Sequence, residues 1–318
     1  MPFSLNPDIA SGLATMLGGQ PLPPKPPAGD VITRRQNVEG MWGGLMAGFP
    51  DINDVETQDF HVKASDGHEI LLRWFAKKGS SPGSAILYIH GGGMISLSVD
   101  HFDKIIQTHV SNSGVPFLAV DYRLAPEVRY PVPVEDCYAG LQYLHSHASD
   151  LGVDTKRIGI MGDSAGGGLA AALAHLAKEK QGPAIQKQIL IYPMLDDRNT
   201  IADPEIAPYA MWAADDNKTG WGALLDGKDG TDSIPPTAAP ARMTVDQASG
   251  LPATYIDVGQ LDIFADENME YARKLSKAGV DCEFHLIPSV PHAFEGIAAQ
   301  SDAAKNAAAW RMAAIKGI

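Results

Sequence analysis

The chain has 318 residues, of which 45% are hydrophobic, and a formal net charge of −13. This length can bury one large core or two small ones, and the composition excludes a disordered or fibrous protein. The acidic balance, with no Lys/Arg cluster, argues against nucleic-acid binding and against attachment to an anionic membrane by charge.

The cysteines and the lack of long apolar segments indicate the compartment. Cys137 and Cys282 lie far apart and lack the spacing of metal ligands. No apolar stretch reaches the ~18 residues that a transmembrane helix needs, and the first residues do not have a signal-peptide pattern. We therefore expect a cytoplasmic protein with two reduced thiols and no membrane insertion.

The first 80 residues contain a helical part followed by a hairpin. Residues 1–50 predict short helices separated by a proline-rich extended linker at Pro21–Pro27. From Asp59 the pattern changes to alternating strands on either side of a turn at Asp66-Gly67, which predicts a β-hairpin.

Strands and helices then alternate up to a C-terminal alanine-rich helix. Because the strands are continuous apolar runs, this order predicts an α/β fold, with a mostly parallel sheet covered by helices on both faces. The predicted strands cover residues 84–90, 115–123, 157–162, 186–193, 251–259 and 282–288. The predicted helices cover residues 102–114, 133–152, 165–182 and 265–279.

One long stretch interrupts the alternation. Residues 195–250 contain no clear strand, and a stretch of this length is usually functional or a separate small layer. We expect residues 1–50 and 195–250 to be two segments of a helical cap over the carboxyl ends of the strands. Residues 51–194 and 251–318 would then form the core.

A serine lies at the junction between a predicted strand and a predicted helix. Residues 162–166 read Gly-Asp-Ser-Ala-Gly, which fits the G-x-S-x-G turn that exposes a nucleophilic Ser164. Small residues are needed two before and two after the serine because the turn is strained. A serine that caps the following helix, or a phosphate-binding turn, remains an alternative, although Gly166–Gly168 does not fit G-x-G-x-x-G.

A glycine run directly after the first apolar strand suggests an oxyanion hole. His90 is followed by three glycines, and backbone N–H groups are the usual stabilisers of the oxyanion in acyl transfer. We expect Gly92 and Gly93 to donate, with Ala165 as the third donor. His90 itself is expected to order the loop by hydrogen bonds.

A nucleophilic serine needs a base, and the base needs an orienting acid. Asp262 and His292 each follow a predicted strand end, so both are expected at the carboxyl edge of the sheet. Asp257, inside a strand, and Asp266, at a helix start, are rival acids. The rival bases are His285, in a strand, and His175, on a helix. Both are better explained as histidines with satisfied hydrogen bonds at the surface or in the core.

Together these motifs make the chain from about Phe60 to Gly296 resemble the hormone-sensitive-lipase family of α/β-hydrolase esterases. The motifs are HGGG at 90–93, DYRLAPE at 121–127, YPVPVEDCYAGLQYL at 130–144, GDSAGG at 162–167, YPMLD at 192–196, AAPAR at 238–242, GQLDIFADE at 259–267 and PHAFEG at 291–296.

The resemblance implies a carboxylic ester hydrolase with the α/β-hydrolase fold, a helical cap, and no cofactor or metal. By position, Ser164 would be the nucleophile, His292 the general base and then acid, and Asp262 the group that orients the imidazole. The segment that ends at Glu127 would be architectural, with the Glu127 carboxylate satisfied by local hydrogen bonds.

Two positions depart from the family pattern. The family often has Asp-Pro-Leu where this chain has Asp262-Ile263-Phe264, which we expect to loosen the loop slightly while keeping the acid. Met94 replaces a frequent aromatic after the glycine run, and its adaptable side chain would change the substrate pocket.

The expected substrate is a small ester with a short- to medium-chain acyl group, cleaved through an acyl-enzyme. An arylformamidase or other amidase with the same triad, and a non-catalytic small-molecule receptor on the same fold, remain alternatives. Such receptors lose the histidine, whereas His292 is present here. A lipase with interfacial activation would need a long apolar lid, which this sequence lacks. Relatives often dimerise through a sheet edge, and no sequence feature decides whether this chain forms a homodimer.

Overall fold

A central sheet of eight strands organises residues 3–20, 24–80 and 83–318, the ranges that the computed structural model describes. The strand order is β1-β2-β4-β3-β5-β6-β7-β8. The strands are β1 Val55–Lys63, β2 Glu69–Lys77, β3 Gly83–Ile89, β4 Phe117–Val120, β5 Val153–Asp163, β6 Lys187–Ile191, β7 Ala253–Gly259 and β8 Cys282–Ile287.

Helices cover both faces of this sheet. The helices of the described ranges are α1 Pro7–Met16, α2 Val31–Ala47, α3 Val99–Ser113, α4 Val132–Ser146, α5 Ala165–Glu179, α6 Ala214–Leu225, α7 Val245–Ala248, α8 Ala265–Lys277, α9 Phe294–Ile297 and α10 Asp302–Lys316. None of them is both long and apolar enough to cross a membrane.

The sheet is mostly parallel, as the apolar strands predicted. Strands β1 and β2 form the expected antiparallel hairpin, and β2 also pairs with β4 in antiparallel fashion. The other five pairings, from β4 through β8, are parallel. Parallel strands place their carboxyl ends at one edge of the sheet, where the loops that follow them can meet.

Several predicted boundaries were wrong. The helix predicted over 133–152 ends at Ser146, and its C-cap His147 has left the helical conformation with a φ of −104° and a ψ of 11°. Residues up to Gly152, which has a φ of 69°, form turns, and the Val153 N–H then bonds to the Ala148 carbonyl at 2.7 Å. The strand predicted over 115–123 pairs only at 117–120, since residues 121–123 already leave the sheet towards the DYRLAPE segment.

The prediction of an extended linker falls partly on residues 21–23, which lie outside the described residues. The rest of the linker, 24–27, has no helix or strand, and it packs against the start of α2. The Arg34 guanidinium donates to the Pro26 carbonyl at 2.7 Å and to the Asp216 carboxylate at 2.6 Å. Because Arg34 and Asp216 are both 2% exposed, this ion pair ties the linker to α6 inside the protein.

The stretch over 195–250 contains no strand within the described residues, as expected. It holds α6, α7 and two 3-10 turns at Ala207–Tyr209 and Pro240–Arg242. Helix α1 packs elsewhere: Ile9 joins a small apolar cluster with Val290 and Phe294, next to the loop that follows β8. The division into a core and a two-segment cap remains a proposal, which the contact between α2 and α6 supports.

Helix α2 also contacts the core through Arg35. Its guanidinium binds both carboxylate oxygens of Glu127 at 2.8 Å, and its Nε donates to the Ile95 carbonyl at 2.5 Å. The expectation of local hydrogen bonds for Glu127 was wrong, because this partner lies 92 residues away in the chain. Both cysteines are free thiols, as predicted.

Candidate active site

Ser164 occupies a strained turn between β5 and α5. Its φ of 55° and ψ of −119° lie outside the regions that most residues adopt, at a cost of about 1–3 kcal/mol. A Cβ on Gly162 would lie 2.2 Å from the Gly166 carbonyl oxygen, and one on Gly166 would lie 2.1 Å from the Ile89 oxygen. The two glycines are therefore required for the turn to close, which is the steric reason for their spacing around Ser164.

The Ser164 side chain does not cap helix α5. It occupies the N-cap position but accepts no hydrogen bond from the first turn of the helix. Its Oγ lies 3.0 Å from His292 Nε2 instead. The helix-cap alternative for this serine is therefore not what the structure contains.

His292 lies between Ser164 and Asp262. Its Nδ1 is 2.6 Å from Asp262 Oδ2, and the other carboxylate oxygen accepts the Phe264 N–H at 3.0 Å. A carboxylate accepts hydrogen bonds, so the Nδ1 N–H is the donor in this contact. In the neutral imidazole, Nε2 then has the lone pair that can accept from the Ser164 hydroxyl. Asp262 follows β7 and His292 follows β8, as the strand ends predicted.

Neither rival acid contacts this histidine. Arg311 binds both carboxylate oxygens of Asp257 at 2.7 Å, and the Tyr255 hydroxyl donates to the same carboxylate. Asp266 is exposed in the first turn of α8, where an acidic side chain complements the helix dipole. The ion pair with Arg311 therefore accounts for Asp257, and the helix dipole accounts for Asp266, without a role for either as the acid of His292.

The rival histidines also lie apart from Ser164. His285 is satisfied by Glu283 at 2.8 Å and stacks on Trp310. His175 is 3% exposed on α5, and its Nε2 has no hydrogen-bond partner within the described chain. The expectation of satisfied hydrogen bonds was therefore right for His285 and wrong for His175.

The burial of His175 predicts a pH dependence of stability. Burial lowers the pKa of His175 from 6.5 to about 4. Between these values the unfolded chain binds a proton that the folded chain does not, so folding is stabilised above pH 6.5 and this contribution is lost as pH falls. Lowering pH from 7 to 5 should cost about 2 kcal/mol through this residue.

Urea unfolding of His175→Leu at pH 7 and 5 isolates this contribution. The loss of unfolding free energy between the two pH values should be about 2 kcal/mol smaller in the variant than in the wild type. His68→Leu, at an exposed position, is the matched control and should behave as the wild type does. Equal losses in wild type and His175→Leu would contradict the prediction.

The glycine run lies against the serine turn with its N–H groups free. Gly92 and Gly93 have φ values of 111° and 64°, which favour glycine. A Cβ on Gly91 would lie 3.5 Å from the Ser164 Cβ, so the two loops are in contact. Within the described chain, the N–H groups of Gly92, Gly93 and Ala165 donate no hydrogen bond, which leaves three donors beside the serine.

His90 orders this loop without carrying charge. Its Nδ1 lies 2.8 Å from the Gly91 carbonyl, and its ring stacks on Tyr122 at 4.2 Å. The Tyr122 hydroxyl also donates to the His90 carbonyl. Burial lowers the pKa of His90 to about 4, so its imidazole is neutral near pH 7. The ring therefore supports the glycine run by stacking and hydrogen bonding.

Two aromatic rings pack edge-on against His292. Tyr192 lies 4.5 Å and Phe264 5.2 Å from the imidazole centre. Phe264 belongs to the segment that departs from the family pattern, and it is fully buried. The departure places an aromatic ring against the histidine, and the expected slight loosening of the loop stays a prediction.

A buried polar network continues behind Tyr192. The Tyr192 hydroxyl donates to Glu295 at 2.7 Å, and Arg311 donates to the same oxygen at 2.6 Å while holding Asp257. Burial alone would raise the pKa of Glu295, but Arg311 and Tyr192 bring it below its usual value. Glu295 is therefore an ionised carboxylate that connects Arg311 to the ring packed on His292.

Asp163, the residue before Ser164, has a different ionisation from Glu295. Asp163 is buried and accepts a hydrogen bond from the Tyr88 hydroxyl. Burial raises the pKa of Asp163 to about 7, although Tyr88 and Arg311 act in the opposite direction. Near pH 7 this carboxyl group is therefore about half protonated, which reduces the negative charge beside Ser164.

Sequence reasoning missed the supporting residues. Tyr192 and Glu295 lie inside motifs that were recognised, but nothing in the spacing indicated that their side chains meet. Arg311 lies in the alanine-rich C-terminal helix, outside every motif. A lone arginine on an apolar helix face was the available signal for a buried ion pair.

Comparison with known protein families and sequences gives a consistent assignment. A family model described as alpha/beta hydrolase fold matches residues 86–296. Ethyl acetate hydrolase of Pseudomonas putida is 33% identical over 306 residues, covering 92% of each chain. Carboxylesterase NlhH of Mycobacterium tuberculosis is also 33% identical, covering 73% of this chain and 72% of its own.

Solved structures show the same similarity across nearly the whole chain. A bacterial heroin esterase superposes with a TM-score of 0.87 and 30% identity, covering 99% of this chain and 98% of its own. A hyperthermophilic esterase from the archaeon Pyrobaculum calidifontis superposes with a TM-score of 0.82 and 28% identity, covering 99% of each chain.

Proposed function

Since the chain belongs to the α/β-hydrolase family, we propose that it cleaves short- to medium-chain acyl esters with a triad of Ser164, His292 and Asp262. The esterase relatives mark it as a carboxylic ester hydrolase of the hormone-sensitive-lipase type. The observation that carries the proposed triad is the pair of contacts made by one imidazole, Nε2 to Ser164 at 3.0 Å and Nδ1 to Asp262 at 2.6 Å.

The proposed reaction begins with acylation. The Ser164 oxygen attacks the ester carbonyl carbon while its proton passes to His292 Nε2. Asp262 stabilises the imidazolium, and the N–H groups of Gly92, Gly93 and Ala165 stabilise the oxyanion. When the tetrahedral intermediate collapses, the bond to the leaving oxygen breaks and His292 gives its proton to the departing alcohol.

Deacylation repeats these steps with water. His292 takes a proton from a water molecule, whose oxygen attacks the acyl carbon of the acyl-enzyme. Collapse of the second intermediate returns the proton from His292 to Ser164 and releases the carboxylic acid. The free alcohol and the acid are then the two products.

The proposal of a small acyl group draws on the relatives and on the cap. One relative is named for ethyl acetate, the ester of a two-carbon acid. In this chain α2 and α6 are joined by the buried pair of Arg34 and Asp216, so the two proposed cap segments are fixed to one another. A fixed cap limits the length of chain that can be enclosed, and this favours short acyl groups.

Hydrolysis of p-nitrophenyl esters tests the proposal. The value of kcat/KM should be highest for acetate or butyrate and at least about 100-fold lower for palmitate, because the fixed cap cannot enclose the longer acyl chain. A p-nitroanilide with the same acyl group is the matched substrate for the amidase alternative and should react more slowly. A folded protein that hydrolyses none of the esters would refute the proposal.

Three further points concern the receptor alternative, the compartment and the oligomeric state. The receptor alternative loses support because receptors of this fold lack the histidine, whereas His292 lies within hydrogen-bond distance of Ser164. Free Cys137 and Cys282 are consistent with the proposed cytoplasmic location. A homodimer through an edge of the sheet remains a prediction from the family resemblance.

A further inference from the structure

Trp212, in the loop before α6, lies directly on the proposed oxyanion loop. A Cβ on Gly93 would be 2.3 Å from Cη2 and 2.6 Å from Cζ2 of its indole. The six-membered ring therefore covers the Gly93 backbone, and no larger residue could replace Gly93 without displacing it. Trp212 is half-buried, so the rest of its ring remains available to a neighbouring group.

The position of this ring identifies the part of a substrate that it can meet. In the tetrahedral intermediate, the leaving oxygen must face His292, because His292 protonates it. The carbonyl oxygen then faces the N–H groups of the glycine run, including that of Gly93. Trp212 packs on the Gly93 backbone, and we assign it to the third substituent of the carbonyl carbon, the acyl group.

The backbone on both sides of Trp212 is held by charged groups. The Lys25 ammonium donates to the Met211 carbonyl at 2.5 Å, and Asp216 accepts the Ala213 N–H at 2.8 Å. Lys25 and Asp216 also form an ion pair at 3.0 Å. The linker before α2 therefore fixes the residue before the tryptophan, and the start of α6 fixes the residue after it.

The indole itself is oriented by a chain of amides. Its Nε1 donates to Asn217 Oδ1 at 3.3 Å, and the Asn217 amide donates to the Asn199 carbonyl at 2.6 Å. The Asn199 side chain in turn donates to the Ile263 carbonyl, next to Asp262. Asn217 is fully buried, so this chain leaves the ring little freedom to move.

We propose that Trp212 sets the acyl-chain limit of the enzyme, with Lys25 as a positioning residue that holds the ring in place. This inference rests on the proposed esterase function and deepens it. A rigid ring over Gly93 blocks an acyl chain that extends past the oxyanion loop. Removal of the ring opens space, and each methylene that enters an apolar space is worth about fourfold in kcat/KM.

The decisive measurement is the ratio of kcat/KM for p-nitrophenyl octanoate to that for p-nitrophenyl acetate. Trp212→Ala should raise this ratio about tenfold or more, since two or more methylenes gain contacts. Trp212→Phe, which keeps a smaller ring, should raise it about threefold. Trp42→Ala is the matched control and should leave the ratio unchanged, because Trp42 lies on α2 and its indole donates to the His101 carbonyl.

The role of Lys25 is separated from a general effect on folding by a double variant. Lys25→Met should raise the octanoate-to-acetate ratio less than Trp212→Ala does, and should have no further effect once Trp212 is replaced by alanine. Lys78→Met removes a comparable bond from an ammonium to the Asn53 carbonyl and should leave the ratio unchanged.

The outcomes distinguish this inference from the function on which it rests. A folded Trp212→Phe variant with the wild-type ratio, in an enzyme active on acetate, would overturn the role of Trp212 and leave the esterase proposal intact. Equal effects of Lys25→Met with and without the tryptophan would overturn its positioning role. Wild-type protein that cleaves neither ester would overturn the esterase proposal, and this inference with it.

Discussion

Replacement of Ser164 by alanine should lower kcat/KM for p-nitrophenyl acetate by at least about 10⁴-fold. The variant loses the hydroxyl oxygen that lies 3.0 Å from His292 Nε2, so no acyl-enzyme can form. The loss should lie in kcat, because the proposed oxyanion donors and the cap that bind the substrate are untouched. Steady-state kinetics with active-site titration of the wild type gives both parameters.

A second serine serves as the control for this variant. Ser146 is exposed at the end of α4, where its hydroxyl bonds only to its own turn, and Ser146→Ala should keep wild-type activity. Urea unfolding should show that Ser164→Ala is folded, since alanine can occupy the same turn. If the variant retained more than about a tenth of wild-type kcat/KM, Ser164 would not be the nucleophile.

The largest effect on stability is expected from Arg311→Met. Arg311 is 7% exposed and makes two bonds to Asp257 and one to Glu295. The variant would leave the fully buried Asp257 carboxylate and the partly buried Glu295 carboxylate without their cation. This should lower the free energy of unfolding by about 3–5 kcal/mol. Urea unfolding at pH 7 measures the loss.

Acidification and a surface arginine provide the checks on this result. At pH 5 part of the loss should be recovered, because a buried carboxylate without its cation can take up a proton. Arg273→Met removes an exposed pair with Glu270 on α8 and should change stability by less than about 1 kcal/mol. A loss for Arg311→Met no larger than for Arg273→Met would show that the network does not stabilise the fold.

Local sequence patterns were enough to predict that the three proposed triad residues lie close together. Ser164 follows β5, Asp262 follows β7 and His292 follows β8, and parallel strands place all three ends at one edge. The hairpin of β1 and β2 was equally local, since its turn and its alternation are both visible in the sequence. In each case the deciding interaction is between neighbours in the chain or neighbours in the sheet.

Partners far apart in the chain were beyond the reach of these patterns. The bond of Glu127 to Arg35 and that of Asp257 to Arg311 depend on how a helix packs on the core, which no periodicity specifies. The same holds for Trp212 on Gly93, where an irregular loop meets a glycine turn. The end of α4 was missed for a smaller reason, because the apolar spacing continued past the residue at which the helix stops.

Two neighbouring arginines of helix α2 bind different parts of the protein. Arg34 joins Asp216 of α6, whereas Arg35 joins Glu127 and the Ile95 carbonyl of the core. For protein engineering, this means that α2 cannot be exchanged by itself, because it is bonded both to α6 and to the core. A cap grafted from another esterase would need arginines that can pair with both Asp216 and Glu127. A graft without them would leave these carboxylates without their cations, and α2 would no longer be bonded to both α6 and the core.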